Sequence, residues 1–277
     1  MAVERPGEEI ATRDRSPAEL DARADALRAL DRSGVPFLVA GAYAFFEYTG
    51  HFRDTKDLDV FLRREDVDAA LAVLERAGFR AEMTDPTWIA KAFRGDWFVD
   101  LIFSSGNGVA AVDDTWFSHA RRARVMGVEV LLAPPEEILW SKAFVAERER
   151  FDGHDVNHLI LHRGEEMDWN RVLWRFERYW EVLFAHVLLF RFSYPSARSR
   201  VPGWLVRDLT RRALADDDSG DEAMRICRGT LLSRVQYRRD LEEHGFVDGR
   251  SWDEAARAAG GTEDGRERSD VSPGGGR

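Results

Sequence analysis

Asp57 and Asp59 stand two residues apart in Asp57-Leu58-Asp59-Val60-Phe61-Leu62, a run whose apolar pattern predicts a β-strand. Strand side chains alternate between faces, so both carboxylates project to one side while Leu58 and Val60 point into a core. Paired oxygens of this kind suit a hard cation such as Mg2+, which is usually held by one or two carboxylates together with substrate phosphates. A third carboxylate, Asp100, interrupts the apolar strand Trp97–Phe103, where an unpaired charge is expensive to bury. A metal or a basic partner removes that cost. If the two strands are neighbours, Asp100 either completes a three-carboxylate site for two metals about 3.5–4 Å apart or accepts the proton of an attacking hydroxyl.

The turn Ala40-Gly41-Ala42 lies between a buried strand and a helix, where glycine lets backbone approach a ligand and the helix N-terminus favours an anionic phosphate. Arg53, Thr55 and Lys56 precede the acidic strand, within reach of phosphate or a metal-bound substrate; Thr55 also suits a turn, and the two bases also balance nearby acids. His51 has the ring of a general base, but an exposed loop histidine describes it better. A strand-to-helix glycine, an Asp-x-Asp or a single strand aspartate is each common alone. Their order gives them weight: glycine turn, helix, Asp-Leu-Asp strand, then an Asp-bearing strand.

An α+β fold has to hold these residues, with a mixed β-sheet and flanking helices followed by a helical C-terminal domain. Ser16-Pro17 supplies an N-cap and a first helical position for a helix over 17–32, which Gly34 stops. The apolar run 35–40 predicts a buried strand, 42–48 a helix, 57–62 a strand and 64–77 an amphipathic helix closed by Gly78. Strands are expected at 79–83, 88–93 and 97–103, and a hairpin or bent strand at 123–132. After Pro134-Pro135 the character changes, and helical signals cover 135–149, 152–163, 168–191, 201–215 and 221–244. The division is an arm over 1–16, an α/β domain over 17–133, a helical domain over 134–253 and a disordered tail over 254–277.

Composition limits the partners. Among 277 residues, 40 Lys and Arg stand against 50 Asp and Glu, and the net charge of -10 disfavours nucleic-acid binding through the bulk field. The single cysteine, Cys227, excludes an internal disulfide and fits a reducing cytosol. The N-terminus lacks the apolar core of a secretory signal. The longest apolar run, Val182–Phe190, is broken by His186 and is far short of a bilayer span. A cytoplasmic protein with no membrane partner is expected.

The stretch Val39-Ala40-Gly41-Ala42-Tyr43-Ala44, followed by Arg53-Asp54-Thr55-Lys56-Asp57-Leu58-Asp59-Val60-Phe61, resembles the nucleotidyltransferase superfamily related to DNA polymerase beta, in its bacterial minimal and abortive-infection-type members. The pattern shared is a glycine-rich turn, a short helix and an Arg-x-Thr-x-Asp-hydrophobic-Asp strand. The resemblance is best over 35–103 and continues loosely to 163. It implies Mg2+-dependent (or Mn2+-dependent) transfer of a nucleoside monophosphate from an NTP to a hydroxyl or similar acceptor, with release of pyrophosphate. The family often places a second Gly or a Ser after the first glycine; this chain has Ala42, so backbone N–H groups rather than a hydroxyl would meet the phosphate.

The segment Pro134–Lys142 and the following Glu149–Asp155 resemble the helical part after the sheet in these proteins, where a lysine and an acidic residue flank the nucleotide. The resemblance casts Lys142 as a phosphate neutraliser and Asp152 or Asp155 as its orienter, while Asp152 equally suits an N-cap. It leaves the acceptor open: a small molecule such as an aminoglycoside, a tRNA end, or a hydroxyl side chain of a partner toxin. A catalytically degenerate form serving as an antitoxin or nucleotide-binding module is the alternative, favoured by Ala42. A hydrolytic two-metal site is disfavoured by the lack of a His-rich ligand cluster. Arg239 and His244 have the Arg-x4-His spacing of helical ribonuclease toxins, a cheap coincidence in an arginine-rich chain.

Overall fold

The computed structural model describes residues 16–51, 55–215 and 225–251, which fall into two compact units, 16–215 and 225–251. The arm expected over 1–16, apart from Ser16, and the tail expected over 254–277 lie outside the described residues. Helix α1 (Pro17–Ser33) begins where the Ser16 side chain accepts from the Glu19 N–H, and it ends at Gly34, whose φ of 75° is left-handed. Its Leu27 and Leu30 are fully buried, on a helix that packs against the sheet.

Seven strands form that sheet: β1 (Leu38–Val39), β2 (Asp57–Phe61), β3 (Arg80–Asp85), β4 (Ile89–Arg94), β5 (Trp97–Ile102), β6 (Arg121–Val125) and β7 (Val128–Leu132). Their spatial order is β3-β4-β5-β2-β1-β7-β6. The β2/β5 and β1/β7 pairs are parallel and the others antiparallel, so the sheet is mixed as expected. Strand β1 is far shorter than the apolar run 35–40 predicts. Pro36 within that run has no N–H to donate to a ladder.

Helix α2 (Gly41–Thr49) leaves the end of β1 directly. Helix α3 (Val67–Arg76) follows a 3-10 turn, Arg64–Asp66, and buries Val67, Ala70, Val73 and Leu74. A short helix that the sequence reading did not anticipate, α4 (Asp114–Ser118), drives Trp116 to full burial against Phe61. Then come α5 (Pro135–Ala143), α6 (Gly153–Arg163), α7 (Trp169–Phe176), α8 (Trp180–Ser193) and α9 (Gly203–Leu214). Helix α5 stops six residues short of the predicted 149, because the chain turns back there: Ala146 bridges Phe151, and the Asp152 N–H donates to the Val145 carbonyl over 3.1 Å.

The single helix expected over 168–191 is instead two helices. The break is at Glu177, with φ 43°, and a 3-10 turn, Glu177–Tyr179. Phe176 and Tyr179, on either side of the break, both pack on Phe144, with ring centroids 5.7 and 5.6 Å away. Glu136 and Glu137 in the first turn of α5 pair with Arg171 and Arg175 of α7, which fixes the two helices together.

In the second unit the helix expected over 221–244 is not found from residue 225 onward. Ile226–Cys227 (β8) pairs in parallel with Val247–Asp248 (β9), and between them lie a 3-10 turn, Arg228–Leu231, and the five-residue α10 (Arg238–Glu242). Gly229 and β-branched Ile226 and Thr230 are poor helix formers. Thr230 donates instead to Asp248 over 2.7 Å, and Asp248 also accepts from Arg250. No helix among the described residues is long and apolar enough to cross a membrane.

Candidate active site

Parallel pairing of β2 with β5 puts Asp59 directly opposite Asp100 and Asp57 opposite Phe98. One oxygen from each of Asp57, Asp59 and Asp100 lies within 4.8 Å of the others. The adjacency that the third aspartate needed is therefore present. Leu58, Val60, Val99 and Leu101 fill the opposite face of the same two strands and are fully buried or nearly so. Alternation thus separates a core face from a carboxylate face.

Gly41 is tied to this cluster. Its φ is +52°, and a Cβ built on it would lie 1.7 Å from Asp59 Oδ2. Any side chain at 41 would displace a carboxylate of the triad. The β1–α2 turn is pinned there because the Ala40 N–H donates to the Asp59 carbonyl over 3.0 Å. Ala42 is half-buried in the first turn of α2, which has no side-chain cap, so its leading N–H groups stay available.

Other polar groups orient the carboxylates. The Thr55 hydroxyl donates to the Asp57 side chain. The Lys91 ammonium, on β4 directly across from Asp100, donates to Asp100 Oδ1 over 2.6 Å. Lys142 on α5 donates to Asp152 over 3.0 Å and to Asp155 over 2.9 Å, and Arg150 forks onto both oxygens of Asp152. Burial pushes the Asp59 carboxyl up to about 7, with repulsion from Asp57 and Asp100 adding to it and Lys142 and Arg150 offsetting part. Burial also pushes Asp100 up, against the hydrogen bond and charge of Lys91. Burial would raise Asp152 as well, but the Arg150 hydrogen bond and the charges of Lys142 and Arg150 hold it at about 2.

The remaining sequence candidates divide. Thr55 reaches the triad, Lys56 is exposed, and Arg53 lies outside the described residues. His51 is an exposed loop residue stacked on His158, with ring centroids 4.6 Å apart. In the second unit Arg239 is paired with Glu243 over 2.6 Å. Three residues near the site escaped the sequence reading: Lys91, Arg150 and Arg23. Arg23, buried in α1, donates to the Tyr43 hydroxyl over 2.7 Å and to the Thr55 carbonyl over 3.1 Å, and pairs with Glu19 over 2.7 Å. It anchors the segment that leads into Asp57.

An all-oxygen donor set fits a hard divalent cation, and a glycine that makes room for one of its carboxylates fits a built site. A family model described as uncharacterised nucleotidyltransferase matches residues 20–189, more than half of the chain and all of the groups around the triad. The chain belongs to that family. No curated protein matches it. Among solved structures, this nucleotidyltransferase is similar to the antibiotic-resistance factor ANT(2'')-Ia at 18% identity, over 61% of this chain and 96% of that one, with a TM-score of 0.44. It is also similar to an antigenic nucleotidyltransferase-like protein from Paracoccidioides brasiliensis (18%, 67% and 94%, 0.39). A third likeness is to the lincosamide antibiotic adenylyltransferase LnuA with lincomycin bound (14%, 52% and 96%, 0.37).

Proposed function

We propose that this nucleotidyltransferase moves a nucleoside monophosphate from an NTP to a hydroxyl-bearing acceptor in a Mg2+-dependent reaction, with Mn2+ able to substitute. The observation that carries the reading is the in-register carboxylate triad with Gly41 seated against Asp59. Asp57 and Asp59 would hold the cation, which when bound supplies neutralising charge to the phosphates. The N–H groups at the start of α2 meet the phosphate oxygens, and Lys142 and Arg150 lower the cost of bringing that charge beside three carboxylates. Asp100 takes the proton of the acceptor hydroxyl as its oxygen bonds to the α-phosphorus. The bond from that phosphorus to the bridging oxygen breaks, and pyrophosphate leaves with the electron pair. Positioning and charge neutralisation carry the rate, without a covalent enzyme intermediate.

An intact triad weighs against the catalytically degenerate alternative. Of the three acceptor classes, a small molecule fits the net charge of -10 better than a tRNA end does; a hydroxyl of a partner toxin is the third. The test is incubation with each labelled NTP and Mg2+ or Mn2+, with pyrophosphate release followed across candidate acceptors. Transfer that is lost in Asp57→Ala and Asp59→Ala supports the reading. No transfer to any acceptor, together with no metal-dependent nucleotide binding, refutes it.

A further inference from the structure

The sheet sets a cation of its own against the triad. Lys91 lies in register with Asp100, and its ammonium is 2.6 Å from Asp100 Oδ1. Its partner on the other side, Glu82 of β3, is engaged by Arg80, so Glu82 does not compete for the ammonium. The Phe98 ring lies 4.5 Å from the same ammonium and shields one side of the pair. Side-chain exposure is 24% for Lys91 and 10% for Asp100, low enough for the pair to act through a medium far less screening than water.

We propose that Lys91 is a positioning residue that takes the place of a second divalent cation, so that the chain itself holds one such ion, on Asp57 and Asp59, and turns Asp100 toward the acceptor. This rests on the metal-dependent reading above. Three carboxylates against one ammonium leave two negative charges, which one divalent ion balances. A second ion at Asp100 would have to displace an ammonium that the antiparallel ladder holds in place. Of the two roles the sequence leaves open for Asp100, ligand of a second metal or acceptor of the hydroxyl proton, this keeps the second.

The test is the Mn2+ stoichiometry of the full chain without nucleotide, read from loss of the free-ion EPR signal. Wild type and Lys91→Arg are expected to bind one equivalent, and Lys91→Met to bind a second at the freed Asp100. Asp100→Asn, which leaves the Asp57–Asp59 pair alone, is expected to keep its one ion. Two equivalents in wild type, no second equivalent in Lys91→Met, or loss of the ion in Asp100→Asn overturns the role of Lys91 alone. Wild type that binds no Mn2+ overturns the metal-dependent reading along with it.

Discussion

Gly41→Ala tests whether the glycine turn exists for the phosphate or for the triad. At φ +52° an alanine meets the left-handed penalty of about 1–2 kcal/mol. Its Cβ would also sit 1.7 Å from Asp59 Oδ2, 2.5 Å from Cγ and 2.9 Å from Cβ, far inside contact distance, so Asp59 has to move. Overpacking of this kind costs about 1–3 kcal/mol, which brings the total to about 2–5 kcal/mol. In an Asp59→Ala background the two shortest contacts vanish and mostly the backbone penalty remains. Urea unfolding of wild type, both single variants and the double variant closes a cycle, and a coupling of about 1–2 kcal/mol is expected, well above the roughly 0.5 kcal/mol scatter of independent sites. Displacing Asp59 by an ångström or more should lower transfer by about a hundredfold or more. Additive stabilities, or a Gly41→Ala protein with full transfer activity, would refute the steric link between the turn and the carboxylate.

Two further outcomes follow from the site's electrostatics and its support. Burial raises the Asp59 carboxyl from 3.8 to about 7, so its ionisation costs the metal-free fold stability that is lost progressively as pH rises from about 4 to about 7. Mn2+ must displace that proton, and its apparent affinity should climb as pH approaches 7 and level off above it; calorimetric titrations that are flat across this window would contradict the shift. Arg23→Met keeps the bulk of the side chain but leaves the Tyr43 hydroxyl and Thr55 carbonyl without their donor, a loss of about 2–4 kcal/mol in urea unfolding against about 1 kcal/mol for Tyr43→Phe. Equal losses would mean that the Thr55 and Glu19 contacts of Arg23 together contribute nothing.

Periodicity made much of the fold legible. The carboxylate and core faces of β2 follow from strict alternation, and the strands on either side of Gly95 and Asp96 were visible as apolar runs. What escaped left no local mark or was set by contacts between distant residues. The Glu177 break falls in a stretch, 169–193, with no Gly or Pro to signal it. Arg23 in the sequence is one charge among many on the helix over 17–32; only the approach of Tyr43 and Thr55 makes it a buried anchor. Gly41 was noticed for its turn, whereas its contact with Asp59 depends on the β1–β2 register.

Lys91 is the instructive case, because its partner was written in the chain and could have been counted. Arg94 pairs with Trp97 across the two-residue turn Gly95-Asp96, and Gly95 supplies the positive φ, 61°, that a tight hairpin favours. Once that turn is recognised, each step back along β4 matches a step forward along β5, and the third step joins Lys91 to Asp100. The strand period of two then puts the pair on the face of Asp57 and Asp59, since Asp59 is itself opposite Asp100. Turn length, strand period and one parallel pairing thus place a lysine beside the third carboxylate. The charge balance of the site is decided by a hairpin register, a feature that an inventory of aspartates leaves out.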